Sequence, residues 1–222
     1  MISDPNKYIR SVHEEKVELV LEFFDECNDL VGYLTPITES RLDDDDLIEL
    51  LTVWRNDNMN SFLTKFVATP ERTRQWLKDV LLSSGTQMLF LVSDLDDNLV
   101  GHFGFKDLTQ ENVLLDNAIK ARRSKNPKLM VYAGRRIIQW LFDNTSINFV
   151  RGEVFSDNAT ALMMNKQLGF IHKEKHPLVK IVNKNNELMW RRCERNEEVC
   201  NRFVYEIVIN RHDWADISFS SH

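Results

Sequence analysis

The sequence predicts an α/β domain built on a mixed, mostly antiparallel twisted sheet flanked by helices. Three observations predict it. Residues 87–93, 99–106 and 113–120 read as strands joined by short polar turns, which makes an antiparallel meander. Stretches with apolar residues at three- and four-residue steps lie before and after the meander and read as helices. An apolar strand at 148–155 then leads into a short helix with a capping residue at its start and Gly169 at its end.

The 222 residues suit one large domain with extensions, and 43% hydrophobic content supplies a core. The divisions expected are a helical extension over 1–30, the main domain over 31–210 and a loose tail over 211–222. A net charge of −6 argues against a general nucleic-acid binder. No apolar run reaches the ~18 residues of a membrane span. The N-terminus lacks the basic-then-apolar pattern of a signal peptide. Cys27, Cys193 and Cys200 form neither a metal-like spacing nor an even disulfide set. A cytoplasmic, reducing location is expected.

In chain order, Val17, Val20, Leu21 and Phe24 give residues 12–27 a helical spacing. Residues 31–38, interrupted by Pro36, read as an edge strand. Asp43 to Asp46 read as the acidic first turn of a helix rather than a metal site, because carboxylates face the positive end of the helix dipole. That helix carries Leu47, Leu50, Leu51 and Trp54, and frays into the polar loop 55–60. Arg55 and Asn56 in this loop are candidates for a substrate wall, or else belong to a solvated connector. Thr69-Pro70-Glu71 opens the next helix, with a Thr cap and a proline where no N–H is needed.

The third meander strand contains Asp116, which is either an ordinary acid on the solvent face of the strand or, lying just upstream of the basic loop, a candidate general base. After it the local charge reverses. Between Asn117 and Phe142 there is no acid, yet there are seven basic residues: Lys120, Arg122, Arg123, Lys125, Lys128, Arg135 and Arg136. Asn126-Pro127 reads as the cap and first-turn proline of the following helix. Cations at a helix N-terminus oppose the dipole, so Lys125 and Lys128 make sense if an anion sits there, the alternative being a solvated basic loop. A phosphate or pyrophosphate fits. A GxxxxGK[ST] sequence is missing, so this is not a nucleotide-hydrolysing P-loop.

The run Asn158-x-x-Ala161-x-x-x-Asn165-Lys166-x-Leu168-Gly169-Phe170 resembles the asparagine-to-LGF motif of the GNAT acyl-CoA N-acyltransferases. The order of elements over residues 34–170 is similar too. The resemblance implies acetyl-CoA as acyl donor, lying in a cleft between two splayed parallel strands, one ending near Lys120 and one beginning near Asn148. It implies a pyrophosphate seated on the backbone of Ser124, Lys125, Asn126, Pro127, Lys128 and Leu129 beside Arg123. It also places the donor along Ala118, Ile119 and Lys120, with Asn158 on the pantetheine arm and Lys166 nearby. Backbone N–H groups near Ile119 would polarise the acyl carbonyl.

The chain departs from the family pattern twice. No glycine stands in the pyrophosphate loop, and Asn165 stands where many members have a tyrosine that protonates the thiolate. An amide can donate a hydrogen bond to sulfur but supplies no proton. Asp116 or Glu153 would be the base, directly or through water, and Asn117 would meet the substrate. Toward the C-terminus, Met189, Trp190, Arg191, Arg192 and Arg195 form a basic and aromatic cluster, either an anion site or plain surface. Residues 203–209 read as a closing strand.

The function expected is N-acetyl transfer to a small-molecule primary amine, with an amino-sugar nucleotide in view. Protein or ribosomal-protein N-terminal acetylation, and a non-catalytic acyl-CoA-binding domain, are the alternatives. A homodimer is compatible with the sequence. No metal, membrane or nucleic-acid partner is expected.

Overall fold

The computed structural model describes residues 1–194 and 197–214. In chain order the elements are α1 (Pro5–His13), β1 (Leu21–Phe24), β2 (Leu30–Pro36), α2 (Asp45–Asp57), β3 (Thr64–Lys65), α3 (Pro70–Trp76), β4 (Met88–Asp94), β5 (Leu99–Lys106), β6 (Asn112–Lys120), α4 (Leu129–Asn144), β7 (Phe149–Phe155), α5 (Ala159–Gln167), β8 (Ile171–Val182), β9 (Leu188–Arg192) and β10 (Phe203–Asn210). The strands pair in the order β1-β2-β4-β5-β6-β7-β10-β8-β9-β3. Every pairing is antiparallel except β6–β7, which is parallel. The mixed, mostly antiparallel sheet expected from sequence is therefore present, and the meander is β4-β5-β6.

The two faces of the sheet are covered by different helices, and strand alternation decides which residues meet which. Met88, Phe90 and Val92 join the large core with α1, α4, Phe103, Val113 and Leu115. Leu89 and Leu91 point the other way, into a second core with α2 and the helix begun by α3. That helix continues from α3 as a π-helical turn, Leu77–Leu82. Thr69 caps it as expected, accepting from the Arg72 N–H at 3.3 Å. Asp44 caps α2, accepting from the Leu47 N–H at 3.0 Å, with Asp45 and Asp46 in the first turn.

Several expectations fail for identifiable reasons. Residues 12–27 do not form a helix. The only helical part of the first 30 residues is α1, and the chain then turns through Glu15, whose φ of 57° is left-handed. From Val17 to Phe23 every second residue is buried or half-buried, the period of a strand, and Leu21–Phe24 pairs with β2. The stretch carries apolar residues at both spacings, Val17, Val20, Leu21 and Phe24 for a helix and Val17, Leu19, Leu21 and Phe23 for a strand, and the tertiary context chose the strand. As a result β1 is the edge and β2 lies inside the sheet, contrary to the edge reading of residues 31–38. Pro36 is tolerated because β1 reaches only as far as Leu34, so the outer side of β2 is unpaired at the proline.

The start of α4 also differs. Lys128, not Asn126, is its N-cap residue and makes no side-chain cap. The Asn126 side chain instead accepts from the Lys128 N–H at 2.9 Å, an Asx turn that ends the loop. At the other end, Arg211 to Trp214 are not a loose tail. Arg211 donates to the carbonyls of Phe142, Thr145 (2.7 Å) and Ile147 (2.9 Å), and Trp214 is buried against Phe142. The remainder of the expected tail, residues 215–222, lies outside the described residues.

Candidate active site

The site begins where the sheet opens. β6 and β7 run in parallel register from Asn112 opposite Phe149 to Leu115 opposite Gly152, and there the pairing stops. Residues 116–120 of β6 continue without a partner on that side, while β7 continues through Glu153, Val154 and Phe155 paired only with β10. The gap exposes a row of strand N–H and C=O groups that must be satisfied by water or ligand. The first residues past the split are Asp116 on one strand and Glu153 on the other.

A bulge in β6 accompanies the split. His102 of β5 opposes Ile119 and Gly104 opposes Asp116, so Asn117 and Ala118 together face Phe103. Asn117 has a left-handed φ of 54°. One inserted residue reverses the alternation of a strand. Leu115 accordingly packs in the large core, while Ile119, four residues on, packs with α2 and α3 on the opposite face.

Asp116 and Glu153 both point toward the α2 and α3 face, and each is held by a cation. The Lys106 ammonium is 2.7 Å from Asp116, whose side chain is 32% exposed. Burial pulls the Lys106 pKa down, but the Asp116 charge and hydrogen bond outweigh it and hold it above the ordinary value. Glu153 is bound by Arg192, which also reaches Glu206 at 3.1 Å. Glu206 is nearly buried and lies opposite Glu153 in the β10–β7 ladder, with His176 at 3.3 Å and Lys173 at 3.4 Å. A polar stripe thus crosses the sheet from β5 to β9 beside the split. Arg191 is paired with Glu197. The basic cluster of β9 is therefore neutralised by its own neighbours, and Arg195 lies outside the described residues.

The opposite side of the split leads to the basic loop, residues 121–128. Among the described residues, the N–H groups of Arg123, Ser124, Lys125 and Asn126 have no acceptor within the protein. The Lys128 and Leu129 N–H groups are taken by Asn126, at 2.9 and 3.2 Å. Lys125 pairs with Asp96 at 2.6 Å and Lys128 with Glu26 at 2.8 Å. The Lys128 and Tyr132 hydrogen bonds hold the Glu26 pKa down to about 2. Lys120 donates to the Pro127 carbonyl at 3.3 Å. Arg122 and Arg123 are exposed and make no side-chain hydrogen bond or ion pair among the described residues.

α5 closes this side. Asn158 caps it through a 3.1 Å bond from the Ala161 N–H. The helix ends in a Schellman motif: Phe170 N–H to Asn165 O at 3.0 Å, Gly169 N–H to Lys166 O at 3.1 Å, and Gly169 at φ 92°. The half-buried Asn165 amide and the exposed Lys166 ammonium have no side-chain partner among the described residues. Leu168 is fully buried against Gly134 of α4.

α2 runs on through Asp57, so Arg55 and Asn56 belong to its last turns and not to the polar loop expected there, and the loop after it docks on β9 through β3. Arg55 donates to the Thr64 carbonyl at 2.7 Å and stacks 3.8 Å over Phe62. Asn56 holds Ala68 by two bonds, 2.8 and 3.1 Å, which occupies its amide. Asn117 donates to Asp116 at 3.3 Å. Sequence reasoning missed His102, Lys106 and Glu206 and saw Arg192 only as part of a basic cluster, because their roles depend on partners from distant strands.

Two histidines make stability depend on pH. His102 is buried and its pKa falls to about 4. His13 is fully buried with no bond of good hydrogen-bond geometry, and burial lowers its pKa although the Leu82 and Ser84 backbone partly offsets this. Unfolded histidine titrates near ~6.5, so between that pH and about 4 the unfolded chain binds protons that the native chain does not. Stability is therefore expected to fall on acidification through this window, by about 3 kcal/mol from His102 alone. Denaturant unfolding at pH 7 and pH 5 checks it. His102→Asn should flatten the slope.

A mostly antiparallel sheet with one parallel pair that splays beside a bulge, flanked by the starts of two helices, is the arrangement that the resemblance to the acyltransferases implies. Residues 40–190 match the family described as the acetyltransferase (GNAT) domain, and the chain belongs to that family. Over 125 residues it is 29% identical to acetyltransferase PseH of Campylobacter jejuni, covering 55% of this chain and 76% of that protein. The crystal structure of spermidine N-acetyltransferase from Vibrio cholerae in complex with CoA and spermine superposes with a TM-score of 0.61 at 12% identity, covering 82% of this chain and 96% of that one. FdhC, described as a nucleotide-linked sugar GNAT, superposes at 0.59 and 14% identity over 92% and 98%. No helix among the described residues is long and apolar enough to cross a membrane.

Proposed function

We propose that the protein is an N-acetyltransferase that moves an acetyl group from acetyl-CoA to a primary amine of a small molecule, with a nucleotide-linked amino sugar as the first candidate. One observation carries this reading. The split after Leu115 and Gly152 joins an unpartnered strand edge and an anion-ready loop on one side to the carboxylates of Asp116 and Glu153 on the other. The chain's own groups fit the donor. The free N–H groups of Arg123 to Asn126 and the unpaired guanidinium groups of Arg122 and Arg123 suit phosphate oxygens.

When bound, the donor supplies an acyl thioester carbonyl to the open edge of β6. The Ala118 backbone N–H polarises it. Asn158 and Lys166 flank the pantetheine side, and Asn165 offers the thiolate a hydrogen bond without a proton. Asp116 or Glu153, directly or through water, takes the proton from the attacking amine. Arg55 and Asn117 face the acceptor side. The likeness to FdhC supports the acceptor class, and the donor, with the three unpaired cysteines, supports a cytoplasmic location.

The test is thiol release from acetyl-CoA with a panel of amines: nucleotide-linked amino sugars, polyamines and peptides. Turnover on an amino-sugar nucleotide is expected. Turnover only on peptide N-termini would redirect the acceptor assignment, and tight acetyl-CoA binding without turnover on any amine would favour a non-catalytic binding domain.

A further inference from the structure

The bulge in β6 is held by a histidine of the neighbouring strand. His102, on β5, is 6% exposed, and its Nδ1 lies 2.7 Å from the Asn117 carbonyl oxygen. A carbonyl only accepts, so the ring proton sits on Nδ1 and the imidazole donates. The bond fastens the one residue of β6 that adopts a left-handed backbone, a conformation disfavoured in a residue with a side chain. His102 itself is held in turn. Trp54 of α2 lies with its ring centroid 6.0 Å away, and β5 pairs on both sides, with β4 and β6. Gly101 and Gly104 flank it, and both approach neighbouring backbone too closely to carry a side chain. The ring therefore has little freedom to leave Asn117.

Without this bond, the 117–118 segment has a simpler alternative, the regular strand, which is reached by shifting the residues after it by one position. That shift would turn Ile119 out of the α2 and α3 core and reverse which backbone groups point into the split. We propose that His102 is a positioning residue for acyl transfer, locking the bulge so that the Ala118 N–H, which points opposite to the Asn117 carbonyl across their shared trans peptide, faces the acyl carbonyl. This rests on the acetyl-CoA reading above. A neutral ring suits the task, because burial keeps the imidazole uncharged against the pull of the Asn117 carbonyl and the Asp116 charge. The lock then holds unchanged across the neutral pH range.

Two measurements test it. The first uses the unaltered protein: nitrogen NMR shifts of the imidazole report its tautomer. The Nδ1–H form is expected, and the Nε2–H form would overturn the proposal whatever the protein binds. The second is the infrared carbonyl band of acetyl-CoA labelled with carbon-13 at the acyl carbon. On binding, the band should move to lower frequency. In His102→Phe it should return toward its position in solution while CoA affinity is retained, and kcat with an accepted amine should fall roughly 10- to 100-fold. His102→Asn, whose amide nitrogen can stand near the Nδ1 position, should restore both. An unmoved band in a folded His102→Phe would sink the positioning role. Failure of the unaltered protein to bind acetyl-CoA would instead defeat the donor assignment, with the tautomer measurement still judging the lock.

Discussion

Replacing Arg122 and Arg123 together by glutamate is expected to weaken CoA binding about 100-fold and to leave the melting temperature nearly unchanged. The size follows from the contacts available. A hydrogen bond to a charged group contributes roughly 1.5–3 kcal/mol, and two exposed guanidinium groups together supply about 3 kcal/mol after screening. The fold should tolerate the change because both side chains are exposed and neither makes a hydrogen bond or ion pair among the described residues. Lys125 and Lys128 make the contrast. Each already has an acid partner, Asp96 or Glu26. A phosphate must compete with those carboxylates, so Lys125→Glu alone is expected to cost less than about tenfold. Calorimetric titration with CoA at low and physiological salt reads both variants. An equal loss from the lysine and the arginine changes would show that the acids do not shield the lysines.

Gly101→Ala is the substitution expected to damage the molecule most. An added Cβ would stand 1.9 Å from the Ile119 carbonyl oxygen and 3.2 Å from the Lys120 Cα. The obstacle is backbone in a paired strand, so no side chain can swing aside. Alanine is ordinarily a better strand residue than glycine, but that preference is only about 0.5–1 kcal/mol. Forcing β5 and β6 apart costs about 3 kcal/mol or more. For a chain of this size the melting temperature should drop by roughly 6–12 °C. The displacement would fall next to the bulge and at the root of the basic loop, where Ala121 and Arg122 both bond to the Val100 carbonyl. CoA affinity should therefore fall together with stability. A variant that melts normally would show that β5 and β6 can separate there without cost.

The parts of this fold that were legible in the sequence are those fixed by local pattern. The meander shows because its strands alternate between polar turns, and Thr69, Asp44, Asn158 and Gly169 announce helix ends by chemistry that acts within four residues. The basic loop shows by its charge. Which of its cations remain available does not show, since Asp96 and Glu26 arrive from turns elsewhere in the chain. The stretch containing Val17, Val20, Leu21 and Phe24 was ambiguous for a different reason. Its apolar residues fit two periods, and only pairing with β2 decides between them. His102 left no local trace at all. A histidine between apolar strand residues reads as an interior position, and its partner Asn117 is brought opposite by the β5–β6 register.

The measurement that bears most directly on the central claim is a crystal structure with acetyl-CoA bound. Phosphate oxygens should lie within hydrogen-bond reach of the Ser124, Lys125 and Asn126 N–H groups and of the Arg122 and Arg123 side chains. The acyl carbonyl should rest beside residues 118–119, at the split between β6 and β7. A donor bound on the α2 and α3 face, or phosphates seated away from residues 122–126, would contradict it.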